Sequence, residues 1–122
     1  MLGHLSFGVL DLDRSMAFYD AVLAPLGLTR IWTKEGAAGY GLPGRGDIFA
    51  LKRREGASAP GPGFHLAFNA STHSAVDAFH LAALGNGGTD NGRPGLRPHY
   101  GPSYYAAFVV DPDGYRLEAV CQ

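Results

Sequence analysis

The chain has 122 residues, of which 46% are hydrophobic and 17% are charged, and its formal net charge at pH 7 is -1. These values are typical of one globular domain and exclude a disordered chain. The lack of a basic excess argues against nucleic-acid and membrane-surface partners. No apolar run approaches the length of a membrane helix, which is about 20 residues. The single cysteine, Cys121, cannot form an intrachain disulfide, which fits a reducing compartment and predicts a cytoplasmic protein.

The first half of the chain begins with a strand-like run and continues into a helix. Residues 4–9 alternate between apolar and small or polar side chains, which predicts a strand with one face toward a core. Apolar residues at three- and four-residue steps predict a helix over 13–23, with Asp11 or Asp13 as N-cap and an end at Pro25. The closing strand of this half is predicted over 47–53.

A glycine-rich segment precedes this closing strand. Residues 39–44 match the pattern G-x-G-x-x-G, which in dinucleotide-binding proteins opens a helix. Here a strand follows instead, so no helix N-terminus is available to hold a pyrophosphate. The segment therefore predicts a hairpin turn.

The second half repeats the order of the first after a linker rich in glycine and proline. Its first strand again alternates, and His65 takes the position of His4. Ser71 or Thr72 is the predicted N-cap of its helix. The predicted elements are a strand, a helix and two further strands, over residues 64–69, 71–84, 104–110 and 115–121.

Each half of the chain therefore has the order β-α-β-β-β. We predict an α+β fold in which two tandem βαβββ modules form a curved, incompletely closed mixed-sheet barrel with the helices outside. The predicted domain covers residues 1–122, with module 1 at 1–54, the linker at 55–63 and module 2 at 64–122.

His4, His65 and Glu118 are the main candidates for chemistry. The two histidines lie on the strand face opposite to the apolar one. Glu118 is predicted to point the same way, because its neighbours Leu117 and Ala119 look core-facing. Two imidazoles and a carboxylate on one concave sheet can bind a divalent metal and leave positions open for substrate or water. The alternative is that both histidines are ordinary polar residues on a solvated face.

A second group of candidates lies in the turn-rich segment 93–105, which is dense in Arg, His and Tyr. We take Arg97, His99 and Tyr104 as candidate substrate contacts, with solvent-facing loop residues as the alternative. Cys121 has no activating histidine near it in sequence, so nucleophilic catalysis has no support.

The segments HLSFGVLDLDRSMAFY (4–19) and DPDGYRLE (111–118) resemble the vicinal oxygen chelate superfamily. This family includes glyoxalase I, fosfomycin-resistance transferases, extradiol dioxygenases and bleomycin-resistance proteins. In its metal-binding members, two strand histidines and a last-strand glutamate are ligands, and these positions fall on His4, His65 and Glu118. The resemblance therefore implies one divalent transition metal, which can be Mn, Fe, Zn, Ni or Co.

Two positions depart from the better-known subfamilies. The fourth ligand of glyoxalase I-like enzymes falls on Ala50 by repeat arithmetic, or on Phe49 by local motif, and neither can bind a metal. The catalytic tyrosine of the extradiol dioxygenases falls on Phe108. A two-residue hairpin places Tyr105 on the metal face, whereas the family pattern places Tyr104 there. We favour Tyr104, because the turn is expected to contain an irregularity.

The resemblance implies a metal-dependent enzyme of the glyoxalase/dioxygenase type, acting on a small molecule whose oxygens chelate the metal. Lyase, isomerase or transferase-like chemistry is implied, with Glu118 as a base when it is displaced from the metal. The alternative is a metal-free, bleomycin-resistance-like dimeric protein that sequesters a small molecule. A third possibility is a degenerate relative that has only a structural role. A homodimer is implied, assembled side by side or by exchange of halves.

Overall fold

A computed structural model describes all 122 residues, Met1–Gln122. It confirms the predicted order β-α-β-β-β in each half of the chain. Neither α-helix has the length and hydropathy of a membrane-spanning segment. The elements are β1 (Leu5–Val9), α1 (Leu12–Leu23), a short 3-10 helix (Ala24–Leu26), β2 (Thr29–Lys34), β3 (Ala37–Gly41), β4 (Asp47–Arg53), β5 (Leu66–Asn69), α2 (His73–Gly85), β6 (Thr89–Leu96), β7 (Tyr105–Val110) and β8 (Arg116–Cys121).

The eight strands form two mixed four-stranded sheets with the same topology. Their strand orders are β1-β4-β3-β2 and β5-β8-β7-β6. In each sheet the first strand is parallel to the last one of its module, and the other neighbours are antiparallel. The two sheets do not close into a barrel, and β1 and β5 each leave one edge without a strand partner.

Local side chains set the helix ends. The carboxylate of Asp11 accepts a hydrogen bond from the backbone N–H of Arg14 at 3.1 Å and caps α1. The hydroxyl of Thr72 accepts from the N–H of Ala75 at 3.0 Å and caps α2. Each cap is one of the two alternatives that the sequence predicts, because a short side chain with an oxygen satisfies an otherwise unpaired N–H of the first turn.

One apolar core joins the two modules. It contains 20 buried residues from both helices and from the inward faces of both sheets. Phe7 of β1 stacks on Tyr115 of the second module with 3.8 Å between the ring centres, and it meets Phe49 edge-on at 4.9 Å. Because the apolar faces share this core, the opposite faces of the two sheets point away from it.

A buried polar network fixes α1 of the first module to the turn between β7 and β8 of the second. The Tyr19 hydroxyl donates a hydrogen bond to Asp111, whose Oδ1 accepts from the backbone N–H groups of Asp113 and Tyr115 at 2.9 and 2.8 Å. Ser15 donates to Asp113 at 3.2 Å. These contacts set the relative orientation of the modules, and with it the direction in which each free sheet face points.

Candidate functional site

The second module holds a buried carboxylate next to an exposed histidine. Glu118 lies in the middle of β8 and is only 1% exposed. His65 comes directly before β5, and its Nε2 is 3.2 Å from Oε1 of Glu118. Since β5 runs parallel to β8 with Ala67 opposite Glu118, both side chains project from the sheet face that turns away from the core.

Tyr104, which directly precedes β7, contacts the same carboxylate. Its hydroxyl donates a hydrogen bond to the second oxygen of Glu118, Oε2. Burial and this hydrogen bond raise the pKa of Tyr104 to about 12. The phenol therefore keeps its proton at neutral pH and directs it at Glu118.

The register of β7 and β8 explains why Tyr104, and not Tyr105, faces the site. Phe108 lies opposite Glu118, and Val110 lies opposite Arg116, so five residues connect the two strands. This is the irregular turn that the family pattern requires, and the two-residue hairpin is absent. Tyr105 projects from the other face, where its hydroxyl donates to a carboxylate of α2 at 2.6 Å.

These side chains border a recess of about 640 Å³. Aromatic rings and a few polar groups form its walls, a combination that suits a small organic ligand. Phe108 occupies the position of the expected catalytic tyrosine and offers a ring face without a hydroxyl. The main lining side chains are Phe64, His65, Asn91, Tyr100, Tyr104, Phe108, Arg116 and Glu118.

His4 lies on the matching face of the first module, in a separate recess of about 350 Å³. In the register of β1 and β4, Ser6 lies opposite Ala50, as Ala67 lies opposite Glu118 in the second module. Ala50 is thus the counterpart of Glu118, and its methyl group cannot bind a metal. Phe49, the other position considered, points into the core.

The structure brings two of the three predicted metal ligands together. His65 and Glu118 are adjacent, whereas His4 belongs to the other recess. No three His, Cys, Asp or Glu side chains of the chain lie close enough together to hold a metal ion.

The other two predicted substrate contacts lie beside the recess and not in its wall. The guanidinium of Arg97 lies 5.4 Å from the ring centre of Phe108 and donates to the carbonyl oxygens of Gly95 and Arg93 at 2.8 and 2.7 Å. Arg97 therefore supports the recess through Phe108. His99 is exposed, and its ring centre is 4.1 Å from that of Tyr100.

The wall of the recess also contains residues that the sequence analysis did not select, among them Arg116 and Tyr100. Arg116 precedes Glu118 by two positions in β8, so strict alternation places it on the same face and was a usable signal. Tyr100 lies in a loop without regular structure, and no pattern in the sequence places its ring.

Comparison with known proteins gives a match over nearly the whole chain. The family model described as the Glyoxalase/Bleomycin resistance protein/Dioxygenase superfamily matches residues 1–119. No curated protein matches the chain.

Several solved structures have a similar fold. A glyoxalase/bleomycin resistance protein from Albidiferax ferrireducens is 33% identical with a TM-score of 0.86, over 100% of this chain and 98% of that one. A glyoxalase-related enzyme from Fulvimarina pelagi is 19% identical with a TM-score of 0.76, over 100% of this chain and 88% of that one. A glyoxalase I variant from Zea mays is 25% identical with a TM-score of 0.73, over 97% of this chain and 44% of that one.

Proposed function

Because the chain belongs to the glyoxalase/bleomycin resistance protein/dioxygenase superfamily, we propose that it is a metal-dependent enzyme acting on a small molecule whose oxygens chelate the metal. Members of this superfamily bind small molecules, usually with a divalent metal, and often form dimers. The observation that carries the proposal is the adjacency of His65 and buried Glu118 in the wall of an aromatic recess.

The donor chemistry of this pair fits a divalent transition metal such as Mn, Fe, Zn, Ni or Co. Imidazole nitrogen and carboxylate oxygen are both good ligands for these ions. Nε2 of His65 and Oε1 of Glu118 lie 3.2 Å apart, and these two atoms would hold the ion together. A catalytic site of this kind usually has three protein ligands, so a third donor is needed.

We propose that the partner subunit's His4 supplies this third ligand in a homodimer. His4 and His65 are equivalent in the repeat, and the edges of β1 and β5 are both free to meet a second copy. An apolar groove between the two sheets is bordered by Leu2, which is 80% exposed, and by Ile48, which is 46% exposed. A dimer that covers this groove would remove the apolar surface from water. Side-by-side docking and exchange of halves are both compatible with this.

The chain's own residues account for the rest of the mechanism. Tyr104 holds Glu118 in place through Oε2. Oε1, which would bind the metal beside His65, would accept a proton from the substrate once it is displaced from the metal. The rings of Phe64 and Phe108 exclude water, and Arg116 stabilises developing negative charge at the wall. The metal, when bound, would supply Lewis-acid polarisation of the substrate oxygens.

The proposed reaction is of the lyase, isomerase or transferase type. Ala50 and Phe108 stand where glyoxalase I-like and ring-cleaving relatives are expected to have a fourth ligand and a tyrosine. These two residues therefore disfavour the specific reaction of either group.

A metal-free, dimeric small-molecule-binding protein is the second candidate. The observation that favours it is the separation of His4 from His65 and Glu118 within one chain, together with the aromatic wall of the recess. This candidate requires the recess to bind an organic ligand with full affinity in the presence of a chelator.

Elemental analysis of untagged protein distinguishes the two candidates. We expect about one equivalent of a transition metal per chain in the parent, and loss of that metal in the His4→Ala and His65→Ala variants. Absence of metal from the parent, even after incubation with Mn²⁺, Fe²⁺, Ni²⁺ and Zn²⁺, would favour the binding protein.

Coexpression of the two variants tests the shared site. If the ligands come from two subunits, a mixed dimer of His4→Ala and His65→Ala chains keeps one intact site of two. With random pairing, about a quarter of the parent's metal content returns. No recovery in an isolated mixed dimer would overturn the subunit-shared site.

A further inference from the structure

The free face of the first module is cationic and aromatic. The chain contains only two lysines, Lys34 and Lys52, and both line the recess that also holds His4. Trp32 and Arg54 line the same recess. We call these four residues, Trp32, Lys34, Lys52 and Arg54, the lysine face.

The indole of Trp32 fills the space that a side chain at position 39 would occupy. Trp32 of β2 is opposite Gly39 of β3, and a Cβ atom at Gly39 would overlap Nε1 and Cε2 of the indole. Only a glycine therefore leaves space for the ring at this point of the sheet. The Nζ of Lys34 lies 5.3 Å from the ring centre. The ammonium group thus lies over the indole ring in a cation–π contact, and both belong to the same recess.

The cations of the lysine face have no carboxylate partners. None of Lys34, Lys52 and Arg54 forms an ion pair within 4 Å. Glu35 and Asp47 also border the recess, so three fixed positive charges stand against two negative ones in a chain whose net charge is -1. Unpaired cations in a recess create a positive potential that favours an anionic ligand.

The free faces of the two modules therefore carry different chemical groups. The free face of the second module carries His65, Glu118 and Tyr104. On the equivalent face of the first module, the small side chain of Ala50 takes the place of Glu118, and the lysine face surrounds it. We propose that the lysine face binds the anionic end of the substrate, and that this substrate is an aromatic carboxylate whose ring lies on Trp32 while its carboxylate pairs with Lys34 and Lys52. This deepens the proposed function and rests on it only for the statement that the ligand is the enzyme's substrate.

Trp32 makes the test direct, because it is the only tryptophan of the chain. Protein freed of metal with EDTA is titrated with phenylacetate while the tryptophan fluorescence is recorded. We expect saturable quenching of the tryptophan fluorescence by phenylacetate. The uncharged isostere phenylacetamide should bind at least about tenfold more weakly.

Charge removal identifies the binding residues. We expect the double variant Lys34→Gln/Lys52→Gln to weaken phenylacetate binding about tenfold. Arg53→Gln is the matched control, because Arg53 adjoins Lys52 but borders a different recess with Asp11. Its affinity is expected to equal that of the parent. Equal affinities for the acid and the amide, or full affinity in the double lysine variant, would overturn the proposal.

This titration is independent of the metal site. Charge-selective binding that depends on both lysines supports the lysine face whether or not the protein holds a metal. Lack of such binding overturns it even if elemental analysis finds a metal at His65 and Glu118.

Discussion

Tyr104 and Tyr105 are neighbours in sequence, but their hydroxyl groups serve opposite faces of β7. Tyr104 donates to Glu118 in the recess, and Tyr105 donates to Asp77 on α2. The same chemical group thus has a positioning role in one residue and a helix-anchoring role in the next. If Glu118 binds a metal as proposed, the Tyr104 hydroxyl would orient this ligand, and groups that orient a metal ligand increase metal affinity.

Removal of the Tyr104 hydroxyl separates these roles. We expect Tyr104→Phe to weaken binding of Mn²⁺ or Zn²⁺ about 10- to 100-fold, because Glu118 loses the donor that fixes its Oε2. Calorimetric titration of apo protein measures this. Tyr105→Phe is the control and should keep the affinity of the parent. Equal affinities in both variants would mean that Tyr104 does not position the carboxylate.

At the scale of elements, β3 carries small residues, Ala37 and Gly39, on the face where Gly39 lies opposite Trp32 of β2. All five of its residues, Ala37–Gly41, are buried. The missing side chain of Gly39 is what admits the indole of Trp32. The composition of one strand therefore decides the shape of the face that the next strand presents.

A methyl group at this point should displace the indole. We expect Gly39→Ala to shift the tryptophan emission, to weaken phenylacetate binding and to lower the free energy of unfolding by about 1–3 kcal/mol, the usual cost of overpacking. Fluorescence and urea unfolding measure these effects. Gly46→Ala is the control, because a Cβ there meets nothing within 4 Å. An unchanged emission spectrum in Gly39→Ala would contradict the packing described.

At the scale of the whole molecule, buried phenols connect the layers of the shared core. Tyr19 and Tyr40 are both fully buried, and both donate to carboxylates, of Asp111 and Asp20 respectively. Burial, together with these carboxylates, raises the pKa of each phenol above its usual value of 10. The folded state therefore keeps the protons of these phenols under conditions in which the unfolded chain releases them.

The sign of the resulting pH dependence follows from this difference in bound protons. Below pH 10 both states hold the phenol protons, and their contribution to stability is complete. Above it, the unfolded chain ionises first, so the free energy of unfolding falls by about 1.4 kcal/mol per pH unit for each such tyrosine. Urea unfolding at a series of alkaline pH values measures the slope. In Tyr40→Phe the free energy of unfolding should fall less steeply with pH, by the contribution of one tyrosine. An unchanged slope would exclude Tyr40 as a source of the pH dependence.

Local patterns in the sequence were sufficient for the order of the elements and for the faces of β1, β5 and β8. Residues 39–41 and 93–96, which were predicted as turn or loop, belong instead to β3 and β6. Alternation predicted that Phe7 and Phe68 point inward, and both are buried. It also predicted that Glu118 shares a face with His65. These predictions succeed because side-chain direction in a strand has a period of two, and because a helix cap depends on residues within one turn.

The position of His4 relative to His65 and Glu118 was decided only by the tertiary structure. Alternation gives the face of a strand, but it does not give the direction in which one sheet faces another. That direction follows from the packing of both apolar faces, including Phe7 on Tyr115, into one core, which leaves the two polar faces in separate recesses. Arg97 was placed in the same way, because its guanidinium turns onto the ring of Phe108 in a neighbouring strand. The sequence by itself determined which residue types each face carries, and long-range packing determined which faces meet.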